Sequence, residues 1–235
     1  MQTKLFPKNE RGIKDIGWLK SNFTFNFSTF KSPDKNGFGL LKVFNDDFVE
    51  KGTGFGLHPH ANMEIISIML AGKMNHKDSM GYYEVVEKDW VQIMSAGSGL
   101  RHEEYNVGDD EVNFLQIWIE PKVQNITPRY QKRYFPLEKR KNQITTAVSS
   151  EEGVLHCWIN QNAKISLGHL ETQKTASYSL VNDNMCAFVF VTEGEISIES
   201  HTLEKRNALG IWQTTSFGIS ANSESQFVII EVPIN

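Results

Sequence analysis

The 235-residue sequence predicts an all-β protein, and three observations carry that prediction. Short stretches rich in Ile, Val, Phe, Tyr and Trp recur between Gly, Asp and Asn turn signals. No segment sustains a 3.6-residue apolar period, and two stretches of the first half reappear in outline in the second. In chain order the strand candidates are 38–44, opened by Asn36-Gly37; 64–70, closed by Gly72; 82–86, opened by Gly81; and 91–94, opened by Asp89. They continue with 114–119, closed by Pro121; 187–191; 195–199, opened by Gly194; and 226–232, closed by Pro233. One short helix is expected at 15–21. So many short strands favour a sandwich or barrel.

The duplication pairs LAGKMNH (70–76) with TEGEISI (192–198), and FLQIWIEP (114–121) with FVIIEVP (227–233), in the same order. Two similar β domains are expected, 1–135 and 136–235. Their boundary falls in 127–150, where RYQKRYFPLEKRKNQ gathers Arg129, Lys132, Arg133, Lys139, Arg140 and Lys141 and reads as a solvated connector. Hydrophobic residues at 40% and charged residues at 22% imply a packed core and exclude a disordered chain. The net charge of −4 argues against binding nucleic acid through phosphate neutralisation. The longest apolar run, 185–191, is far short of the about 20 residues a spanning helix needs. Charged residues interrupt the N-terminus before a signal-peptide core can form, so a cytoplasmic location is expected. Cys157 and Cys186 sit in apolar contexts and read as buried free thiols.

The densest set of metal-capable residues is GFGLHPHANME (54–64) followed by GSGLRHEE (97–104). In extended chain, residues two apart share a face, so His58 and His60 can approach one ion together, as can His102 and Glu104. Glu64 competes with Glu104 for the carboxylate position, and spacing alone leaves that open. Glu103 should face away and be solvated or salt-bridged. Three imidazoles and a carboxylate suit Fe(II), Mn, Ni, Cu or Zn and poorly suit Mg or Ca, with Fe(II) the favoured ion. Four protein ligands on a six-coordinate ion leave two positions for substrate and O2. Gly97-Ser98-Gly99 is not a nucleophile elbow, and no phosphate-binding loop is present. His76 and Asp78 read as a hydrogen-bonded turn at the cavity, and His156, His169 and His201 as structural or exposed singles.

These residues resemble the cupin superfamily, whose first motif runs from Gly52 through His58 and His60 to Glu64. The second motif is matched by Gly99, His102 and Asn106, with Gly97 where a proline is usual. More narrowly, RGIKDIGWLKSNFTFNFSTF, NDDFVEKGTGFGLHPHANMEI, HKDSMG and QIMSAGSGLRHEEYN resemble the pirins, a family of two-cupin (bicupin) jelly-roll barrel proteins. That resemblance implies metal ligands His58, His60, His102 and Glu104, with Glu64 supporting them from behind and the second cupin degenerate. It implies quercetin 2,3-dioxygenase activity on a small-molecule substrate and O2, with Glu104 also a candidate base. The different reading it leaves is a non-enzymatic, metal- and redox-dependent regulator that binds a protein partner. Where pirins usually carry a histidine before Thr-Phe-Ser-Phe, this chain has Phe23. Carrying the spacing from Gly72 to Gly194 through without gaps places Leu180, Asn182 and Cys186 opposite His58, His60 and Glu64.

Overall fold

The structure is a computed structural model that describes residues 1–234. The first half forms β1 (Gln2–Phe6), β2 (Gly12–Asp15), β3 (Leu19–Phe23), β4 (Leu41–Val49), β5 (Gly54–His60) and β6 (Glu64–Ala71). It continues with β7 (Lys73–Asp78), β8 (Tyr83–Glu87), β9 (Trp90–Ser95), β10 (Leu100–Tyr105), β11 (Val112–Ile119) and β12 (Arg129–Tyr134). The second half adds β13 (Gln143–Ser149), β14 (Cys157–Trp158), β15 (Lys164–Leu170), β16 (Thr175–Ser179) and β17 (Met185–Glu193). After these come β18 (Glu195–Ile198), β19 (His201–Glu204), β20 (Ala208–Trp212), β21 (Ser216–Ala221) and β22 (Ser225–Pro233). Among the described residues the helical pieces are two short 3-10 turns, Lys8–Glu10 and Leu137–Arg140. No helix is long and apolar enough to cross a membrane.

The chain is all-β and builds two barrels of the same design. A seven-stranded sheet β12-β9-β6-β11-β4-β3-β2 faces a four-stranded sheet β5-β10-β7-β8, and β1-β20-β17-β22-β15-β13-β14 with β16-β21-β18-β19 repeats that order strand for strand. The N-terminal strand β1 joins the second large sheet by pairing with β20, so it ties the first half of the chain to the second.

Side-chain alternation explains why the central strands read as unbroken apolar runs. On β17, Ala187, Val189 and Val191 fill the second barrel, whereas Cys186, Phe188 and Phe190 pack against the first domain. On β22, Phe227 and Ile229 point inward and Val228, Ile230 and Val232 outward. From the first domain, Phe44, Ile66, Ile68, Leu115 and Ile117 meet that surface, so the two large sheets share one core. A strand buried on both faces loses the apolar/polar alternation of a half-buried one.

Three local expectations are corrected. The 15–21 segment is a β-hairpin: Gly17 takes a left-handed φ of +85°, its amide donates to Asp15 Oδ1, and the flanking residues enter β2 and β3. The basic 129–143 run is no solvated connector. Its first six residues form β12 on β9; Lys132 pairs with Glu84 at 2.9 Å, and Arg140 is buried against Asp89 at 2.9 Å. The counterparts of His58 and His60 are also not Leu180 and Asn182. His58 faces His102 across β5 and β10 and both point inward; Leu180 and Asn182 follow the end of β16, whose inward-facing pairs with β21 are Ala176–Ile219 and Tyr178–Phe217.

Candidate metal centre

β5 and β10 pair antiparallel at the mouth of the first barrel, with His102 opposite His58 and Leu100 opposite His60. A β-bulge follows, since Glu104 lies opposite Phe55 and three steps of β5 match two of β10. The extra residue lets both His58 and Phe55 face inward and leaves Leu57 exposed. It also brings the Gly56 carbonyl within 2.7 Å of His58 Nδ1. Alternation on β10 buries His102 and Glu104 and sends Glu103 outward to Lys77 at 3.2 Å, as expected.

The rings of His58, His60 and His102 stand 4.4 to 4.9 Å apart, centroid to centroid. Their nitrogens fall within 4.8 Å of one another, and a second group of the same kind joins His76, His102 and Glu104. His102 belongs to both. Burial, with the neighbouring imidazoles next, holds His60 down to about 4 and His102 down to about 3, so both rings are neutral at neutral pH. Burial pushes Glu104 up, against the opposing pull of His76, His58, Gln92 and His60.

Hydrogen bonds set the tautomers. Asp78 Oδ2 lies 2.9 Å from His76 Nε2, and His76 Nδ1 lies 3.4 Å from His102 Nδ1. With His76 donating to the carboxylate, its Nδ1 is the acceptor and His102 Nδ1–H the donor. His102 Nε2 is then a bare lone pair, and it is buried without a hydrogen-bond partner. His58 reaches the same state by donating Nδ1–H to Gly56. Unpartnered neutral imidazoles beside a carboxylate fit a divalent transition ion, and the bonds behind them are the support such ligands usually have.

His76 and Asp78 do form the expected turn, in which Asp78 Oδ1 accepts from the Met80 and Tyr82 amides, and they also back the imidazoles. Glu64 does something else. Its Oε2 accepts from Ser95 Oγ at 2.7 Å and from the Asn160 amide at 3.0 Å, a link to the second half of the chain, and none of its hydrogen bonds reaches an imidazole. Sequence reading missed Gln92 and Tyr130. Tyr130 donates to Gln92 Oε1, and Gln92 Nε2 donates to Glu104 Oε1 at 2.8 Å. Period-two alternation within 91–94 was the available signal for Gln92, and Tyr130 was hidden in the basic run.

Beside His58 lies a cavity of about 200 Å³ lined by Phe23, Phe27, Phe55, Trp118 and Asp47. Phe23, at the position where pirins usually carry histidine, is thus part of an aromatic wall. Asp47 is 2% exposed; burial pushes its carboxyl up to about 7, opposed by the Ser21 hydroxyl and assisted by Asp46 and Glu104. The two cysteines are free and buried.

Known proteins match this chain along its length. The pirin family model covers residues 6–119, and a model described as the quercetinase C-terminal cupin domain covers 146–232. A quercetin 2,3-dioxygenase of Escherichia coli K12 is 36% identical over 96% of both chains, and a pirin-like protein of Caulobacter vibrioides 31% identical over 96% of this chain and 97% of its own. The crystal structure of YhhW from Escherichia coli superposes with a TM-score of 0.94 at 33% identity, covering 99% of this chain and 98% of that one. The same bacterial pirin in complex with nickel(II) gives 0.93 at 33% identity, covering 99% of both. With relatives above 30% identity across almost its full length and the two-barrel architecture in place, this chain belongs to the pirin family.

Proposed function

We propose that the protein is a metal-dependent dioxygenase of the quercetin 2,3-dioxygenase type, acting with O2 on a hydroxylated, flavonol-like small molecule. The observation that carries this reading is the cluster of His58, His60 and His102, with the outer nitrogens of His58 and His102 tied to Gly56 and His76 and with His102 Nε2 left bare in the interior. Similarity to the Escherichia coli quercetin 2,3-dioxygenase supports the reaction class. His58, His60, His102 and Glu104 are the proposed ligands of one divalent ion, and Fe(II) is the proposed native metal. The nickel(II) held by the related pirin supports a single transition-metal site. Bound there, the ion supplies the redox and Lewis-acid chemistry that ground-state O2 needs to react with an organic substrate.

The chain's own residues do the rest. Gln92 donates to Glu104 Oε1 and so orients the carboxylate, which is also the proposed acceptor of the substrate's hydroxyl proton. The aromatic side chains beside His58 are the proposed walls against which the substrate rests. The overall reaction opens the heterocyclic ring and releases carbon monoxide. Chemistry is assigned to 1–135. In the 136–235 portion, the inward-facing positions of the corresponding strand pair are Ala176, Tyr178, Phe217 and Ile219, none of them a metal-ligating type, and the interior is filled by such side chains together with Phe227.

Oxygen uptake with quercetin by iron-loaded protein purified without O2 tests this reading. Uptake is expected to need the iron, and His102→Ala is expected to lose both the ion and the turnover. Turnover unaffected by that substitution overturns the proposal. No turnover in fully iron-loaded protein favours the partner-binding regulator instead.

A further inference from the structure

The alternation of β4 places one charged group in the first barrel without a visible purpose. Phe44 packs into the interdomain core and Asp46 faces Arg206, so Asn45, Asp47 and Val49 turn the other way, into the barrel. Asp47 is almost fully buried, lines the cavity beside His58, and its Oδ1 has no hydrogen-bond partner. A buried carboxyl oxygen left unpaired costs stability, and such a cost is typically retained at a functional site. Four aromatic residues, Phe23, Phe27, Phe55 and Trp118, line the cavity together with the polar Ser21, Ser28, Gln116 and Lys14; Phe23 and Phe27 lie 5.4 Å apart, and Trp118 stands perpendicular to Phe27 at 5.4 Å. At about 200 Å³ the space falls below the roughly 300–1,000 Å³ of pockets that enclose a drug-sized ligand, so it matches a single ring.

The second barrel supplies the contrast. Asp47 lies opposite Phe114 across β4 and β11, and the repeated stretch puts Gly168 opposite Phe227 across β15 and β22. A side chain at Gly168 would collide with the Phe227 ring at 2.1 Å, so that copy has no room for a carboxylate at the position matching Asp47.

We infer that the cavity takes one hydroxylated aromatic ring of the substrate, which donates its O–H to the unpartnered carboxyl oxygen of Asp47. Aromatic walls bind the ring faces, and the unpaired buried carboxyl oxygen selects rings that carry a hydroxyl over rings that carry an ether. Asp47 is therefore a substrate-positioning residue. The inference rests on the reading of the adjacent imidazoles as the reacting centre for a phenolic substrate.

The test is a binding experiment without turnover. Calorimetric titration of the full chain, as purified and without O2, compares 4-ethylphenol with its methyl ether. The phenol is expected to bind about tenfold more tightly, the scale of a hydrogen bond to a charged group, and Asp47→Leu, which removes the acceptor oxygens at similar volume, is expected to erase most of that preference at unchanged metal content. A preference that survives the substitution, as coordination of the hydroxyl to a metal would, overturns the inference. A crystal structure of the unsubstituted protein with 4-ethylphenol decides the matter even if the variant does not fold. The hydroxyl within hydrogen-bond distance of Asp47 supports it; a ring bound elsewhere, or turned toward the imidazoles, overturns it. Loss of quercetin turnover alone would count against the proposed activity and leave this binding result standing.

Discussion

At the scale of the residue, the centre depends on which nitrogen of each imidazole carries the proton. Asp78 is the origin of that order: one carboxylate oxygen faces His76, and the other accepts two turn amides. Asp78→Asn keeps the turn, because the amide oxygen can still accept from Met80 and Tyr82. It presents an N–H to His76 Nε2, reverses the tautomer of His76, and drives the proton of His102 onto the nitrogen that now has a bare lone pair. Metal affinity is expected to fall about 10- to 100-fold, the usual effect of losing such a supporting group, while thermal melting of the metal-free protein barely moves. Calorimetric metal titration checks this, and unchanged affinity would show that the relay does not matter. Glu64 shows the limit of motif reading at this scale. It has the spacing of a ligand, yet its carboxylate is engaged by Ser95 and the Asn160 amide.

At the scale of the element, β5 and β10 are aimed by turns and a bulge rather than by propensity. The turn entering β10 has Gly97 at a φ of +49°, and an added Cβ would lie 2.1 Å from the Ile126 carbonyl oxygen. The proline usual in cupins could not adopt that φ, since its ring holds φ near −65°, so the glycine there is a requirement of this turn. Gly97→Ala is expected to cost about 2 kcal/mol or more in urea unfolding and to weaken metal binding by shifting His102. A loss under about 0.5 kcal/mol would mean that the turn can relax. Six of the strands, β4, β6, β9, β11, β17 and β22, contain the long apolar candidate runs, because both their faces are buried. Strands such as β7, β10, β12 and β21 are polar or mixed, and their pairing partners, distant in sequence, define them. The hairpin mistaken for a helix at 15–21 failed for the same reason: Leu19–Phe23 is a strand because β4 lies beside it.

At the scale of the whole molecule, the two barrels are joined by a shared apolar core and by a buried polar cluster. Asp46 meets Arg206 at 2.9 Å and Arg11 at 3.8 Å, Asn113 bonds both Asp46 and Arg206, and the Arg11 guanidinium lies over Phe190. Burial, with Arg206 also contributing, holds Arg11 down to about 10 despite Asp46. Asp46→Asn would leave two guanidinium groups around a neutral amide, and a loss of about 3 kcal/mol in unfolding free energy is expected. A change near zero would assign the domain interface to its apolar core alone. Sequence by itself determined the all-β class, the duplication and the grouping of His58, His60 and His102, because these follow from residue type, period-two alternation and short spacing. Only the tertiary structure decided what surrounds them: the Asp78–His76 relay, Gln92 on Glu104, the lone Asp47 beside an aromatic cavity, and β1 crossing to the second sheet. Those contacts join residues from strands far apart in the chain, and what brings them together is burial of two-faced sheets, a long-range effect that local pattern does not carry.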